Sequence, residues 1–452
     1  MRRRSKIIVF VIFICVLLIL PTMYLYYNEN DSDDILLSEI SNDTSNRTNL
    51  LRGGWFTEKD GVRILFLNGT NYMMGYQYGY FLKEEIEQIY GCMLHFFENR
   101  GCSYDEFMDV WNLMKDNIPR DYIEEMEGMA NGSNVSWEKI VILNTLPAIL
   151  NLEMCSGMSA WGSATKNGEV IHFRSLDGSM KMIDELSGKS AQELQVIVLR
   201  NPENGFRSIS FSFIGDVGSW GGFNEKGIAV GEVSCSSDDT TFAGINIAFR
   251  MRMVQDYANN LDDAIMILTS NRDCGWNLFV SDGNSKRGVV IEETAHHVYQ
   301  GDWDDPVEST RPFYAIENVV RRTNFFIHPD IAATQRQHYN PRGLLGLFRF
   351  IFKHDIYFFE WQHYRAFSKA INKYHGSLDF DTTMDMVRDV YSGKTTLIFR
   401  ILQKKGYKTD LQQWVANPRT GDFSISFASP DTCAHENPVH YFNFYDLIEH
   451  KI

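Results

Sequence analysis

Proline and cysteine are both scarce in this sequence, with 11 prolines and seven cysteines among 452 residues. The few prolines, together with 33 glycines at no repeating spacing, exclude a collagen-like or low-complexity chain. Basic residues are also in deficit, because 43 Lys and Arg against 58 Asp and Glu give a formal net charge of −15. A chain this acidic is repelled by a phosphate backbone, so nucleic-acid binding is not expected.

Several nucleotide- and metal-binding motifs are missing as well. The sequence has no G-x-G-x-x-G, no P-loop and no G-x-S-x-G in a strand–turn–helix context, which argues against dinucleotide, ATP and α/β-hydrolase sites. It has no C-x-x-C pair and no His–Cys set at zinc spacing, so neither a metal nor a cofactor is expected. With 44% apolar residues, the chain is instead typical of a packed enzyme.

The first 27 residues predict a membrane anchor. A basic cluster, Met1–Lys6, precedes an unbroken apolar run, Ile7–Leu20, and aromatic residues continue it to Tyr27. This stretch is long enough to cross a hydrocarbon core of about 30 Å as a single transmembrane helix. The basic end would stay in the cytoplasm and the rest would lie in the lumen or outside the cell, as in a type II membrane protein. A cleaved signal peptide is the alternative, and it would leave a secreted or lysosomal protein.

Residues 28–52 are rich in Asp, Asn and Ser and predict a polar stalk that buries no core. Glycosylation sequons begin here and do not occur after Asn134. Asn30 lies too close to the predicted membrane helix to be a good acceptor. The candidate glycosylation sites are Asn42, Asn46, Asn68, Asn131 and Asn134.

Cys15 lies in the apolar run, and the other six cysteines would face an oxidising compartment, where pairing is the default. If one of the six is a reactive thiol, at least one of the other five is unpaired. These six residues are Cys92, Cys102, Cys155, Cys235, Cys274 and Cys433.

The spacing of apolar residues in the rest of the chain changes near residue 155. Residues 53–154 are predicted to be a helical part, since apolar residues recur at three- and four-residue spacing from Asn71 to Leu150. From Ser156 onward, short strands separated by turn signals dominate, interrupted by helices near 247–270 and 363–391. Strands, then helices, then strands again predict an α+β layered sandwich for residues 155–452.

The candidate chemistry lies where these two parts meet. Cys155 opens a strand of small residues, and a paired strand would return Arg174 and Asp177 to its neighbourhood. An Arg beside a thiol lowers the pKa of that thiol. If the chain were cut before Cys155, the new α-amino group, with an ordinary pKa of about 7.7–8.0, would serve as a general base. The alternative is that Cys155 is a buried small residue or half of a disulfide, beside an ordinary Arg174–Asp177 ion pair.

This arrangement resembles the N-terminal nucleophile (Ntn) hydrolases, and among them the autoproteolytic acyltransferases and amidohydrolases that include the penicillin acyltransferase of fungi. The resemblance extends from about Gly54 to Leu447. The elements that carry it are Gly75-Tyr76-Gln77-Tyr78-Gly79, the hairpin Cys155 to Asp177, the turn Gly222 to Val230, Thr323-Asn324 and Tyr364-Arg365.

The resemblance implies a four-layer αββα sandwich and a role for each matching residue. Cys155 would be the nucleophile both for autocatalytic cleavage of the bond before it and for substrate turnover. Arg174 would poise the thiol, Asp177 would orient the freed amine, and Asn324 would donate its amide N–H to the oxyanion. Glu232 is a possible supporting carboxylate.

Arg365 is a further possible supporting residue, on the helix that follows the Thr323-Asn324 segment. Two positions depart from the family pattern. Met154 stands where many relatives have Gly, which is expected to slow cleavage, and Phe325 stands where the family has His.

The leading functional hypothesis is therefore a membrane-tethered amidohydrolase that cleaves a linear amide in a small N-acyl substrate. Acyl transfer to an amine on the same site is the nearest alternative. A lumenal glycosyltransferase is another, because Asp302-Trp303-Asp304 matches a metal-binding D-x-D pattern. A catalytically inactive membrane glycoprotein with the same fold is the last.

Overall fold

The computed structural model describes residues 44–149, 155–335, 343–353, 357–404 and 410–451. The chain divides into two compact units, residues 1–52 and 53–452. The described residues of the first unit form one helix, α1 (Thr44–Leu50), within the predicted stalk. The predicted membrane helix, residues 7–27, lies outside the described residues. Among the residues that are described, no helix combines the length and the apolar character needed to cross a bilayer.

Two sheets form the centre of the second unit. One sheet has nine strands in the order β1-β2-β5-β6-β7-β8-β9-β10-β11, and the other has six in the order β12-β3-β4-β13-β14-β15. Every pair of neighbours is antiparallel except β2 and β5, which are parallel. The strands are β1 (Trp55–Lys59), β2 (Val62–Gly69), β3 (Ser156–Gly162), β4 (Gly168–Asp177), β5 (Gln195–Pro202), β6 (Ser208–Phe213), β7 (Gly222–Asn224), β8 (Ile228–Ser234), β9 (Trp276–Asp282), β10 (Arg287–Glu293), β11 (Val298–Gly301), β12 (Val319–Thr323), β13 (Asp410–Ala416), β14 (Asp422–Phe427) and β15 (His440–Asn443).

Most helices of the second unit lie outside the two sheets, whereas the last one, residues 444–448, joins the core between them. The helices are α2 (Asn71–Phe81), α3 (Lys83–Glu98), α4 (Tyr104–Met114), α5 (Arg120–Ser133), α6 (Trp137–Ile149), α7 (Ile247–Tyr257), α8 (Leu261–Leu268), α9 (Pro306–Ser309), α10 (Pro329–Ala332), α11 (Gly343–Lys353), α12 (Tyr357–Tyr374), α13 (Phe380–Tyr391), α14 (Leu397–Lys404) and α15 (Phe444–Ile448). Helices α2 to α8 pack on the nine-stranded sheet, whereas α12 and α13 pack on the six-stranded sheet.

Side-chain alternation along the strands creates the layers. In β2, Ile64 and Phe66 join Trp414 of β13 in the apolar core between the sheets, while Leu65 and Leu67 join the core under the helices. Successive residues of a strand point to opposite faces, so a strand that is apolar throughout is buried on both sides. The chain is thus a sandwich of helices, two sheets and helices, and the predicted α+β class is confirmed.

The segment predicted to be helical, residues 53–154, also contributes two strands. Strand β2 lies inside the nine-stranded sheet, between β1 and β5. Its sequence, VRILFLNG, is short and apolar, a pattern that does not separate a buried strand from a buried helix. The part of the chain before Cys155 is therefore built into the same sheet as the part after it.

Strand β12 was not predicted, because two arginines interrupt its apolar pattern. Both are fully buried, and each hydrogen-bonds to local groups, although Arg321 Nη1 has no partner among the described residues. Arg321 donates from Nε to Ser368 Oγ at 2.7 Å. Arg322 donates to Glu292 Oε1 at 2.7 Å and to the carboxylate of Glu308. A buried charge is tolerated when it is paired and hydrogen-bonded in this way.

The expectation that cysteines pair is wrong for the described part of the chain. No disulfide joins any two of the six described cysteines. Several of them hydrogen-bond to nearby groups instead: Cys92 Sγ donates to the carbonyl of Lys189 at 3.3 Å, and Trp276 Nε1 donates to Cys274 Sγ at 3.1 Å. The buried thiols therefore pack as small residues of the core.

His363 of α12 gives the fold a stability that depends on pH. Burial among aromatic rings lowers the pKa of His363 to about 3, and neither ring nitrogen has a hydrogen-bond partner among the described residues. The unfolded chain takes up a proton near pH 6.5 and the folded chain does not, so stability is lost as the pH falls from about 6.5 towards 3. Between pH 7 and 5, His363→Phe should remove about 2 kcal/mol of the acid-induced loss in unfolding free energy.

Urea unfolding of both proteins at the two pH values measures this difference. An unchanged pH dependence in His363→Phe would show that the folded protein accommodates the protonated ring.

Candidate active site

The register of three neighbouring strands brings the predicted site residues together. Strand β3 begins directly after Cys155 and pairs with β4, so that Gly157 faces Arg174. On its other side β3 pairs with β12, where Ser156 faces Thr323. Continuing that register by one position sets Asn324 opposite Cys155. Residues far apart in sequence thus converge on the start of β3.

Cys155 is completely buried. The backbone N–H of Asp177 donates to its Sγ at 3.5 Å, and Sγ lies 3.9 Å from the carbonyl oxygen of the same residue. Burial raises the pKa of the Cys155 thiol well above its usual value, and the guanidinium of Arg174 acts in the opposite direction. The predicted effect of Arg174 is present, but burial outweighs it, so the thiol is protonated.

Arg174 of β4 hydrogen-bonds to Glu232 of β8, which lies in the facing sheet. Its Nε donates to the carbonyl oxygen of Glu232 at 3.0 Å, and its Nη2 pairs with the carboxylate of Glu232. Both side chains are fully buried. Arg174 Nη1 and Glu232 Oε2 have no hydrogen-bond partner among the described residues. Glu232, the possible supporting carboxylate, is therefore the direct partner of Arg174.

Asp177 turns its carboxylate away from Arg174, towards the helices on the outer face of the six-stranded sheet. Tyr391 of α13 donates from its hydroxyl to both carboxylate oxygens, at 3.1 and 2.9 Å. Ser175 donates from Oγ at 2.7 Å, and the Tyr391 hydroxyl lies 3.0 Å from Ser156 Oγ. Burial, followed by the charge of Asp410, raises the pKa of Asp177 well above its usual range.

A second buried carboxylate lies beside Asp177. Asp410 is its partner across the β4–β13 pair. Asp410 Oδ1 lies 2.7 Å from Nδ1 of His435. Asp410 Oδ2 accepts the backbone N–H of the same histidine at 2.6 Å. With Cys433 these residues bring three potential metal ligands within 4.8 Å of one another. In this cluster both oxygens of Asp410 bond to His435.

Asn324 is hydrogen-bonded to two different elements, β8 and α12. Its Nδ2 donates to the carbonyl oxygen of Ser234 at 2.9 Å, at the end of β8. Its backbone N–H donates to Glu360 Oε2 of α12 at 3.3 Å. The same nitrogen also lies 3.3 Å from Ser234 Oγ, so the amide contacts both the carbonyl and the hydroxyl oxygen of Ser234. The side chain is 4% exposed.

Other predicted residues lie elsewhere. Arg365 is exposed on α12, where its Nη1 donates to Gln362 Oε1 at 3.4 Å. Asp302, in the predicted D-x-D pattern, pairs with Arg287 at 2.7 Å in an exposed loop. Neither belongs to the group around Cys155.

The predicted glycosylation sites differ in accessibility. Asn134 is exposed and ends α5 in a left-handed conformation. Asn131 is exposed and donates to the Tyr72 hydroxyl at 2.9 Å. Asn68 is half-buried in β2, where its Oδ1 accepts from Asn201 at 2.7 Å. Asn42 and the side chain of Asn46 lie outside the described residues.

Sequence reasoning missed several residues of this group. Tyr391, Ser234, Glu360 and Asp410 come from separate elements, and none lies in a motif next to the nucleophile. Ser175 is inside the predicted hairpin, between Arg174 and Asp177, and period-two alternation along β4 could have assigned it to the face of Asp177. The others become neighbours only through packing.

Part of the chain matches a known family model. Residues 183–342 match the model described as acyl-coenzyme A:6-aminopenicillanic acid acyl-transferase. The match includes Glu232 and Asn324 and begins after Cys155, Arg174 and Asp177. Over residues 183–342 the match agrees with the predicted resemblance to the penicillin acyltransferase family.

Three curated relatives extend the comparison. An uncharacterized protein of Archaeoglobus fulgidus is 25% identical over 320 residues, which cover 61% of this chain and 52% of that protein. Proteins dcd1A and dcd1B of Dictyostelium discoideum are 22% and 23% identical over 58% and 56% of this chain, covering 65% and 55% of their own lengths. The chain thus spans between half and two thirds of the length of these relatives.

Two solved structures are also similar. One is the Caenorhabditis elegans N-acylethanolamine-hydrolyzing acid amidase ortholog, 16% identical, with a TM-score of 0.37, over 59% of this chain and 93% of that chain. The other is penicillin V acylase from Agrobacterium tumefaciens, 15% identical, with a TM-score of 0.37, over 64% of this chain and 86% of that chain.

The Arg174–Glu232 pair should be important for stability. Glu232→Gln removes one charge of a fully buried pair and leaves Arg174 uncompensated, which typically costs about 3–5 kcal/mol. The exposed pair Arg120–Glu124 is the control, since Glu124→Gln should cost less than about 1 kcal/mol. Urea unfolding near neutral pH measures both, and equal effects of the two substitutions would contradict a structural role for the buried pair.

Proposed function

We propose that this protein is an amidohydrolase that cleaves a linear amide bond in a small N-acyl substrate, through an acyl-enzyme on Cys155. The observation that carries the proposal is the convergence of Arg174, Asp177 and Asn324 on Cys155, the residue directly before β3. The active form would arise by autocatalytic cleavage of the bond between Met154 and Cys155. Both steps use the same sulfur.

In the cleavage step, Cys155 Sγ attacks the carbonyl carbon of Met154. The peptide C–N bond breaks, a thioester forms between Met154 and Sγ, and the thiol proton moves to the nitrogen, which becomes an α-amine. Water then hydrolyses the thioester, releasing the Met154 carboxylic acid and the free thiol. The buried, protonated thiol of the intact chain would thereby gain a base on its own residue.

In turnover, the α-amine takes the thiol proton as Sγ attacks the substrate carbonyl. Asn324 would donate its amide N–H to the developing oxyanion, a contribution that is typically about 3–4 kcal/mol. The amine product leaves with the proton, and the acyl group stays on sulfur as a thioester. Water, activated by the same amine, releases the acid. Asp177, held by Tyr391 and Ser175, would orient the amine.

Acyl transfer to an amine acceptor is a second candidate. The description of the matching family model favours it. It requires the same thioester, with the acceptor amine replacing water in the last step. Hydrolysis and transfer are then distinguished by adding an acceptor to the assay and measuring the two products.

We also propose that the catalytic part lies in the lumen or outside the cell, attached by the N-terminal apolar run. The support comes from the basic cluster before that run and from the exposed sequon at Asn134. Mobility on gels before and after glycosidase treatment of the expressed protein tests this placement, and an Asn134→Gln variant identifies the site.

Replacing the nucleophile should abolish processing and activity together. Cys155→Ala should leave one uncleaved chain and lower amidase activity on a panel of N-acyl amines by about a thousandfold or more. Cys92→Ala is the control because it also removes a buried thiol, and it should be cleaved and active. Electrophoresis and product assays measure the two effects, and an active Cys155→Ala protein would overturn the proposal.

The two fragments should remain associated without a covalent link. No disulfide joins the described cysteines, and β2 of the first fragment is paired in parallel with β5 of the second. We expect the fragments to co-elute in native gel filtration and to separate into two bands on denaturing gels without reductant. A single band that resolves only after reduction would show that a disulfide joins them.

A further inference from the structure

Two neighbouring helices expose an unusually apolar surface. Helix α11 places five large apolar side chains at solvent-facing positions with i, i+3, i+4, i+7 and i+8 spacing, and α14 places three. These residues, which we call the apolar patch, are Leu344, Leu347, Phe348, Ile351, Phe352, Leu397, Ile398 and Ile401. Amphipathic helices of a globular protein normally turn such a stripe inward. Here the stripe of α11 faces water, with Leu344 85% and Phe352 67% exposed.

The two helices lie at the same end of α12. Only residues 354–356 separate α11 from α12, and the two helices pack against each other. Helix α14 reaches the first turns of α12 through Phe399, whose ring lies 5.3 Å from that of Phe359 and stacks at 5.2 Å on His363. The exposed side chains of α11 and α14 thus flank one helix end.

The charge of this region is opposite to that of the whole chain. Segments 341–353 and 395–409 contain seven Lys and Arg residues and no Asp or Glu, although the chain has a net charge of −15. Segments rich in Lys and Arg together with large aliphatic and aromatic residues are typical of helices that lie in a membrane interface. Other acidic surfaces of the protein would be repelled by anionic lipid, so this charge pattern favours one orientation.

We propose that α11 and α14 form a membrane-docking surface that inserts its apolar patch into an anionic lipid bilayer. The helices would lie in the plane of the interface, with Arg349 and Arg400 placed near the headgroups. This surface is independent of the N-terminal apolar run and of the proposed catalytic mechanism. It is also close to the candidate site, because Glu360 of α12 accepts the backbone N–H of Asn324.

Photocrosslinking of the full-length protein in lipid vesicles tests the proposal. The vesicles contain phosphatidylcholine and phosphatidylserine with a photoreactive group in the acyl chain, and labelled peptides are mapped by mass spectrometry. We expect labelling of segments 343–353 and 397–404, weaker at high salt and weaker without phosphatidylserine. Label confined to the N-terminal run, or spread evenly over the surface, would overturn the proposal.

Charge substitution provides the matched comparison. The triple variant Leu344→Glu, Phe348→Glu and Leu397→Glu should lower labelling of both helices more than about tenfold. Leu186→Glu alters an exposed apolar residue far along the chain, 98% exposed, and should leave labelling unchanged. Equal labelling of the triple variant and the Leu186→Glu control would contradict the proposal.

Two further measurements distinguish misfolding and other occupants. Circular dichroism and urea unfolding should be the same for the triple variant and the starting protein, since the altered side chains face solvent. Gel filtration in detergent-free buffer without lipid should give the same elution volume for both. A shift from dimer to monomer in the variant would instead assign the patch to a second copy of the chain.

Discussion

The antiparallel register of β12, β3 and β4 is the constraint on which the candidate site depends. Hydrogen bonding on both sides of β3 fixes where Cys155 lies relative to Arg174 and to Asn324. A one-residue slip of either neighbour would turn its side chains to the other face of the sheet. Gly157 shows how tightly the arrangement is packed, because a Cβ there would lie 2.4 Å from the Phe279 ring of the facing sheet.

Alternation divides the site between the two faces of the six-stranded sheet. Arg174 faces the other sheet and pairs with Glu232, while Asp177 faces the helices and bonds with Tyr391. The thiol therefore has a cationic group on one face of its sheet and a carboxylate on the other. Burial keeps that thiol protonated in the intact chain. This agrees with the proposal that the intact chain is a precursor, in which the base that deprotonates the thiol forms only after cleavage. Helix α12 packs on the same sheet through β12. It also packs against α11 and α14, the two helices of the apolar patch.

Much of the fold was predictable from local pattern. The helices from Asn71 onward and most strands after Ser156 have the periodicity expected of their type, and the hairpin Cys155 to Asp177 is present as predicted. Two of the strands that local pattern missed, β2 and β12, lack the expected pattern for a physical reason. Strand β2 is apolar on both faces, and β12 carries two buried arginines, so neither has the alternation that identifies a strand.

Some residues of the candidate site could be predicted from the sequence, and others could not. Cys155, Arg174 and Asp177 are close in sequence and could be grouped from the hairpin alone. The partners that fix their geometry come from distant strands and helices, as Tyr391 and Glu232 do, and only tertiary packing brings them in. The sign of the thiol's pKa shift was also beyond sequence reasoning, because it depends on burial rather than on the neighbouring arginine.

The proposed mechanism requires a primary amine on Cys155 as its general base. Chemical labelling of free α-amines in purified, catalytically active protein, followed by peptide mapping, tests it most directly. The account predicts a labelled peptide that begins at Cys155, in an amount that follows specific activity from one preparation to the next. Fully active protein in which every peptide runs unbroken from Met154 into Cys155 would contradict it.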